Sequence, residues 1–200
     1  MKKFCFILSI LCLLVTSCAI AQNQVEKTKA PIKPALLVID IQNAFLPMIP
    51  ERDKMIGMEY INGLIDLFHK NNFPVIRIYQ FSEEWGVKPG TPEFEFPETV
   101  KILPADPKVV KDYPDGFNKT DLDKILKDSG SNTLFLCGLS AVGCVLATQV
   151  GAMNHDYKAF LVKNAIMSHN TEYTRNVEEM FDAVSFEMVQ MIVEDATVRP

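Results

Sequence analysis

Residues 132–155 read NTLFLCGLSAVGCVLATQVGAMNH, an apolar run, a glycine turn and then a helical pattern with a thiol in its first turn. The run Thr133–Cys137 is short, bounded by polar residues before it and glycine after it, and predicts a buried parallel-type strand. Cys144, Val145, Thr148 and Ala152 recur at three- and four-residue steps, which predicts a helix packed on that strand. Backbone N–H groups in a first helical turn are unpaired and carry the positive end of the helix dipole, so this position favours a thiolate and an oxyanion beside it. The competing reading of Cys144 is a small buried hydrophobe, as Cys137 within the strand is read to be.

Strand and helix patterns alternate outward from this unit. Residues 35–41, ALLVIDI, form a core strand that ends in an acid. Ligands of open α/β sheets bind at the carboxyl ends of strands, so Asp40 is a candidate base, with a loop-capping aspartate as the alternative. Ile56, Tyr60, Ile61, Leu64, Ile65 and Phe68 predict an amphipathic helix, and Val75–Tyr79 the next strand. The stretch 81–100, FSEEWGVKPGTPEFEFPETV, is irregular and long enough to be a lid or pocket wall. Within it Trp85, Phe94 and Phe96 either line a pocket or plug the loop onto the surface. Lys108–Lys111 is a short strand whose last residue, Lys111, sits like Asp40 where a strand gives way to a loop. A helix follows from Thr120 to a stop at Gly130. Lys158–Ile166 is a further strand, Thr171 opens a helix, and Ser185–Met191 reads as a last, edge-like strand. Strands alternating with helices imply a parallel sheet of six strands covered on both faces.

Composition bounds the function. Two hundred residues with 48% apolar content make one domain with a single sizeable core. Lys2, Lys3 and the apolar run Phe4–Val15 predict a signal peptide over residues 1–21. Val15-Thr16-Ser17-Cys18 resembles a lipobox, with Cys18 lipidated as a membrane anchor, while Ala19-Ile20-Ala21 fits ordinary signal cleavage. Either places the protein outside the cytoplasm, in the periplasm or on a membrane. Residues 22–33 are a polar tether and 34–200 the folded domain. Without residues 1–21 the chain keeps 18 basic and 25 acidic residues, a formal charge of −7, which disfavours a nucleic-acid partner. Cys137 and Cys144 are expected as free thiols, since strand and turn separate them beyond bridging distance. No glycine-rich phosphate loop is present, and His69, His155 and His169 lack metal-ligand spacing, so neither metal nor cofactor is expected.

Three segments, LLVIDIQNAF around Asp40, VVKDYPDGFNKTDLDKIL around Lys111 and CGLSAVGCVLATQVGAMNHDY around Cys144, together resemble the isochorismatase-like cysteine hydrolase family across residues 34–195. The resemblance implies a three-layer α/β/α sandwich with a six-stranded, mainly parallel sheet in the order 3-2-1-4-5-6, and an Asp40, Lys111, Cys144 triad. It also implies a cis peptide at Leu139-Ser140, an oxyanion hole from the backbone N–H groups of Ala141 and Cys144, and a homo-oligomer. Phe45, Gln80, Trp85, Phe117 and His169 are expected to line the substrate pocket. Nicotinamidases of the family carry an Asp-x-His metal motif where this chain reads Tyr79-Gln80-Phe81-Ser82-Glu83, which argues against that activity. True isochorismatases replace the cysteine, so Cys144 points to C–N bond hydrolysis of a small amide or carbamoyl compound. The alternative is a binding or scaffold protein that kept the fold and lost turnover.

Overall fold

The computed structural model describes residues 31–198; the expected leader, Cys18 and most of the tether lie outside them. Five strands form one parallel sheet: β1 (Pro34–Ile39), β2 (Val75–Gln80), β3 (Lys108–Lys111), β4 (Thr133–Leu139) and β5 (Lys158–Met167), in the order β3-β2-β1-β4-β5. The helices are α1 (Glu51–Lys70), α2 (Leu122–Asp128), α3 (Cys144–Asn154), α4 (Thr171–Met180) and α5 (Phe186–Val198).

Every residue of β1 and β4 is buried, as strands covered on both faces require. Alternate side chains divide between two cores. Leu36, Val38, Phe135 and Cys137 pack with Ile61, Leu64, Ile65 and Phe68 of α1 and with Val189 and Val193 of α5. Ala35, Leu37, Leu134 and Leu136 pack on the other face with Leu122 and Leu126 of α2, Val145 and Ala152 of α3 and Val177 of α4. The result is the expected three-layer sandwich. Cys137 is fully buried, its thiol pushed upward by burial and directed at the Leu37 carbonyl oxygen, 3.5 Å away.

The expected sixth strand is absent. Residues 185–191 turn into α5, and all that remains of strand pairing is a single parallel bridge between Val162 and Val184. Ser185 opens the helix by accepting a hydrogen bond from the Met188 amide on its Oγ (3.3 Å). Val189, Val193 and Ala196 are buried at helical spacing, so a 3.6-residue period carries this segment onto α1. A seven-residue window from Ser185 is too short to tell that period from a strand's.

The strand order reverses between β1 and β4, which pair in parallel from Pro34↔Thr133 to Ile39↔Gly138. Gly138 has φ +119°, and a Cβ there would stand 2.0 Å from the Ile39 carbonyl oxygen. Only glycine allows the two strand ends to approach this closely. The crevice of the switch point opens just beyond them.

Candidate active site

Asp40 follows β1 directly. Its φ of +53° is unusual for a residue with a Cβ, and its amide donates to the Ile78 carbonyl at 2.9 Å, which ties the turn to β2. Lys111 closes β3, two strands away, with its side chain wholly buried. Its ammonium donates to Asp40 Oδ2 at 2.8 Å and to Gln80 Oε1 at 2.5 Å. A buried ammonium is tolerated only when paired and hydrogen-bonded in this way. Cys144, the first residue of α3, directs Sγ at the same Gln80 oxygen, 3.8 Å away.

Gln80 is therefore the centre of the arrangement. Its Nε2 donates to the Phe81 carbonyl at 2.7 Å, which fixes the amide oxygen toward Lys111 and the sulfur. Gln42 holds the backbone of Gln80 from behind, with Oε1 accepting from the Gln80 amide (2.7 Å) and Nε2 donating to the Gln80 carbonyl (3.0 Å). Gln42 is completely buried, and nothing in its sequence context distinguishes it from a loop glutamine.

Electrostatics set the resting protonation. Burial raises the Asp40 carboxyl above its ordinary value, against the lowering effect of Lys111. Burial first, and the Asp40 charge second, push the Cys144 thiol up to about 12, and Lys111 offsets this only in part. At this thiol desolvation outweighs the favourable effect of the helix N-terminus, which holds the sulfur toward its neutral form opposite the Asp40 carboxyl. Asp40 Oδ1 is buried with no hydrogen-bond partner, an unfilled acceptor beside that thiol.

The peptide Leu139-Ser140 is cis. The Ala141 amide is not available as an oxyanion donor, because Ala141 is fully buried and its N–H donates to the Met167 carbonyl at 2.7 Å. No such acceptor meets the amides of Ser140 and Cys144 among the described residues, and both residues line the cavity. The amides left facing the cavity are therefore those of Ser140 and Cys144.

A cavity of about 710 Å³ opens over Asp40 and Cys144. Phe45, Gln80, Trp85 and His169 line it as expected. Phe117 does not. Its amide donates to Asp115 Oδ1 (2.9 Å), a local turn that sends the ring into the second core against His155 and Tyr157, with centroids 4.7 and 5.8 Å away. Phe94 and Phe96 are buried and stack on Tyr79 at 5.1 and 4.2 Å, so they pin the long loop. Trp85, 64% exposed, reaches the cavity from that loop, as does Phe81 at its start. At the end of β2, where an Asp-x-His pair would lie, Tyr79 is in this aromatic stack and Gln80 serves Lys111. Cys137 and Cys144 are both free.

The model of the isochorismatase domain matches residues 34–189. The chain belongs to the isochorismatase family. An isochorismatase family protein of Bacillus subtilis is 31% identical over 140 residues, covering 66% of this chain and 76% of its own. Enterobactin synthase component B of Escherichia coli is 30% identical over 167 residues, 74% of this chain but only 57% of its own length. Among solved structures, N-carbamoylsarcosine amidase from Thermoplasma acidophilum superposes with a TM-score of 0.66 over 77% of this chain and 95% of its own, at 24% identity, a likeness of fold. Within the family's sandwich, the crevice at the switch point is the place that gathers Asp40, Lys111, Gln80 and Cys144.

Proposed function

We propose that this isochorismatase-family protein is a cysteine-dependent hydrolase that cleaves a C–N bond in a small amide or carbamoyl compound outside the cytoplasm. The observation that carries the reading is the buried Asp40–Lys111 pair facing the Cys144 sulfur at the floor of one cavity, with one carboxylate oxygen left unpaired. Asp40 accepts the thiol proton as sulfur attacks the carbonyl carbon. Protonation neutralises Asp40, so the Lys111 charge, no longer cancelled, stabilises the thiolate as it forms. Oxyanion charge is met by the amides of Ser140 and Cys144. The C–N bond then breaks, Asp40 returns its proton to the leaving nitrogen, and a thioester remains on Cys144. Water, deprotonated by Asp40, attacks the thioester; the C–S bond breaks, the acid leaves, and the thiol is restored. A binding role without turnover gives no reason for a thiol to face an unpartnered buried carboxylate oxygen.

The N-terminal pattern supports export, and the exposed Val142, Val150 and Met153 around α3, with the family resemblance, support a homo-oligomer. The deciding experiment incubates the purified protein with a panel of small primary amides and carbamoyl compounds and maps acyl adducts by mass spectrometry. An adduct on the Cys144 peptide, with turnover reduced at least about a thousand-fold in Cys144→Ala, is expected. Turnover retained in Cys144→Ala would refute the nucleophile.

A further inference from the structure

The mouth of the cavity above Cys144 is acidic. Glu83, Glu84 and Asp112 line it, and none of the three enters an ion pair among the described residues. The lining contains no lysine or arginine, and the ammonium of Lys111 beneath the floor is fully buried and committed to Asp40 and Gln80. The chain as a whole carries a formal charge of −5, so the wider field has the same sign.

Glu83 and Glu84 stand on a built loop, and Asp112 directly follows β3. Ser82 and Val87 exchange backbone hydrogen bonds of 2.9 Å in each direction, and Gly86, at φ +67°, donates to the Glu83 carbonyl at 3.1 Å. This closes a tight turn with Glu83, Glu84 and Trp85 at its tip. Trp85 meets Phe45 edge to face with centroids 6.1 Å apart, which leaves an exposed aromatic surface beside three uncompensated negative charges. Beneath this rim the cavity floor holds Asp40, 3% exposed and with no hydrogen-bond partner on Oδ1 among the described residues, beside the Cys144 thiol.

We propose that the substrate is a small amide whose non-reacting end is a cation, an ammonium group on an apolar body. Resting on the hydrolase reading of the same site, this places the reacting carbonyl at Cys144 and the ammonium at the rim, between Trp85 and the carboxylates. An aromatic face attracts a cation directly, and carboxylates around a low-dielectric mouth concentrate cations while repelling anions. A carboxylated amide of the same shape meets only like charge there.

The test compares 4-(aminomethyl)benzamide, 4-methylbenzamide and 4-carbamoylbenzoate, by kcat/KM on the full chain and by equilibrium binding to Cys144→Ala. The aminomethyl compound is expected to exceed the carboxylate by about ten-fold or more in both measurements, with the ratio shrinking as salt is added. In Glu83→Gln/Glu84→Gln/Asp112→Asn the ratio should fall toward one. A carboxylate that binds as well as the aminomethyl compound, a ratio insensitive to the triple substitution, or no binding of the aminomethyl compound overturns the proposal. Charge-ordered binding to Cys144→Ala without turnover by the native protein would count against the hydrolase reading and keep only the cation selectivity of the rim. Turnover without charge ordering would do the reverse.

Discussion

At Cys144 the competing influences on one thiol can be ranked by their results. A helix N-terminus and a nearby ammonium both favour the thiolate, yet burial and the Asp40 carboxylate win and hold the thiol near 12. The nucleophile is thus made during reaction, by handing its proton to Asp40. Activity then requires Asp40 ionised and the thiol protonated, which fixes the sign of the pH dependence. As pH rises, kcat/KM should climb through one ionisation displaced above the ordinary carboxyl value of 3.8 and stay level until the thiol itself titrates. Lys111→Ala removes the charge and the hydrogen bond that lower the Asp40 value, so its acid limb should move to higher pH while maximal activity falls. A pH–rate profile for both proteins measures this, and an acid limb unmoved by the substitution would show that Asp40 is not the group observed. Apparent values belong to the coupled pair of acid and thiol.

At the scale of elements, the site exists because four neighbouring strands end together, with β2 supplying Gln80. β1, β3 and β4 deliver Asp40, Lys111 and the turn into α3, and the pairing of Ile39 with Gly138 sets how near the first and last of these come. Gly138→Ala should be the most damaging single methyl group in the sheet, because the new Cβ meets backbone atoms of Ile39 that cannot rotate away, and φ +119° is strained for any L side chain. A loss on the order of 3 kcal/mol or more in denaturant unfolding is expected, comparable to the larger core substitutions, together with loss of activity as the strand ends separate. A variant as stable and active as the parent would mean the two strands move apart freely. The missing sixth strand belongs to this scale too. Without the buried ladder at Val189, Val193 and Ala196 in view, the β-branched and apolar residues of 185–191 fit an edge strand as well as a helix.

For the whole molecule, charge and targeting matter more than any single contact. The acidic balance and the acidic cavity mouth act in one direction, toward cations and away from anions. Export, proposed from the N-terminal pattern, is tested at the same scale. Intact mass of the protein recovered from the envelope of a bacterial host should correspond to a chain beginning at Gln22, or at Cys18 with added lipid mass. An unprocessed mass with the protein in the cytoplasm would exclude the extracytoplasmic reading.

Much of this protein could be read from its residues alone. Apolar runs and helical spacing depend on neighbours along the chain, so β1 to β5, the helix at Cys144 and the ends of strands bearing Asp40 and Lys111 were visible there, and three motifs in order named the family. What needed the tertiary structure was everything decided by partners far apart in sequence. The tie of Gln42 to Gln80 spans 38 residues and that of Asp40 to Lys111 spans 71; neither leaves a local pattern. Phe117 and Trp85 are both loop aromatics in the sequence, and only packing sends one into the core and the other to the cavity. The Ala141 amide differs from its neighbours solely because the Met167 carbonyl of β5 has taken it. Local preference is a property of a segment, whereas desolvation and hydrogen-bond satisfaction are properties of a place, and that place forms only when the sheet does.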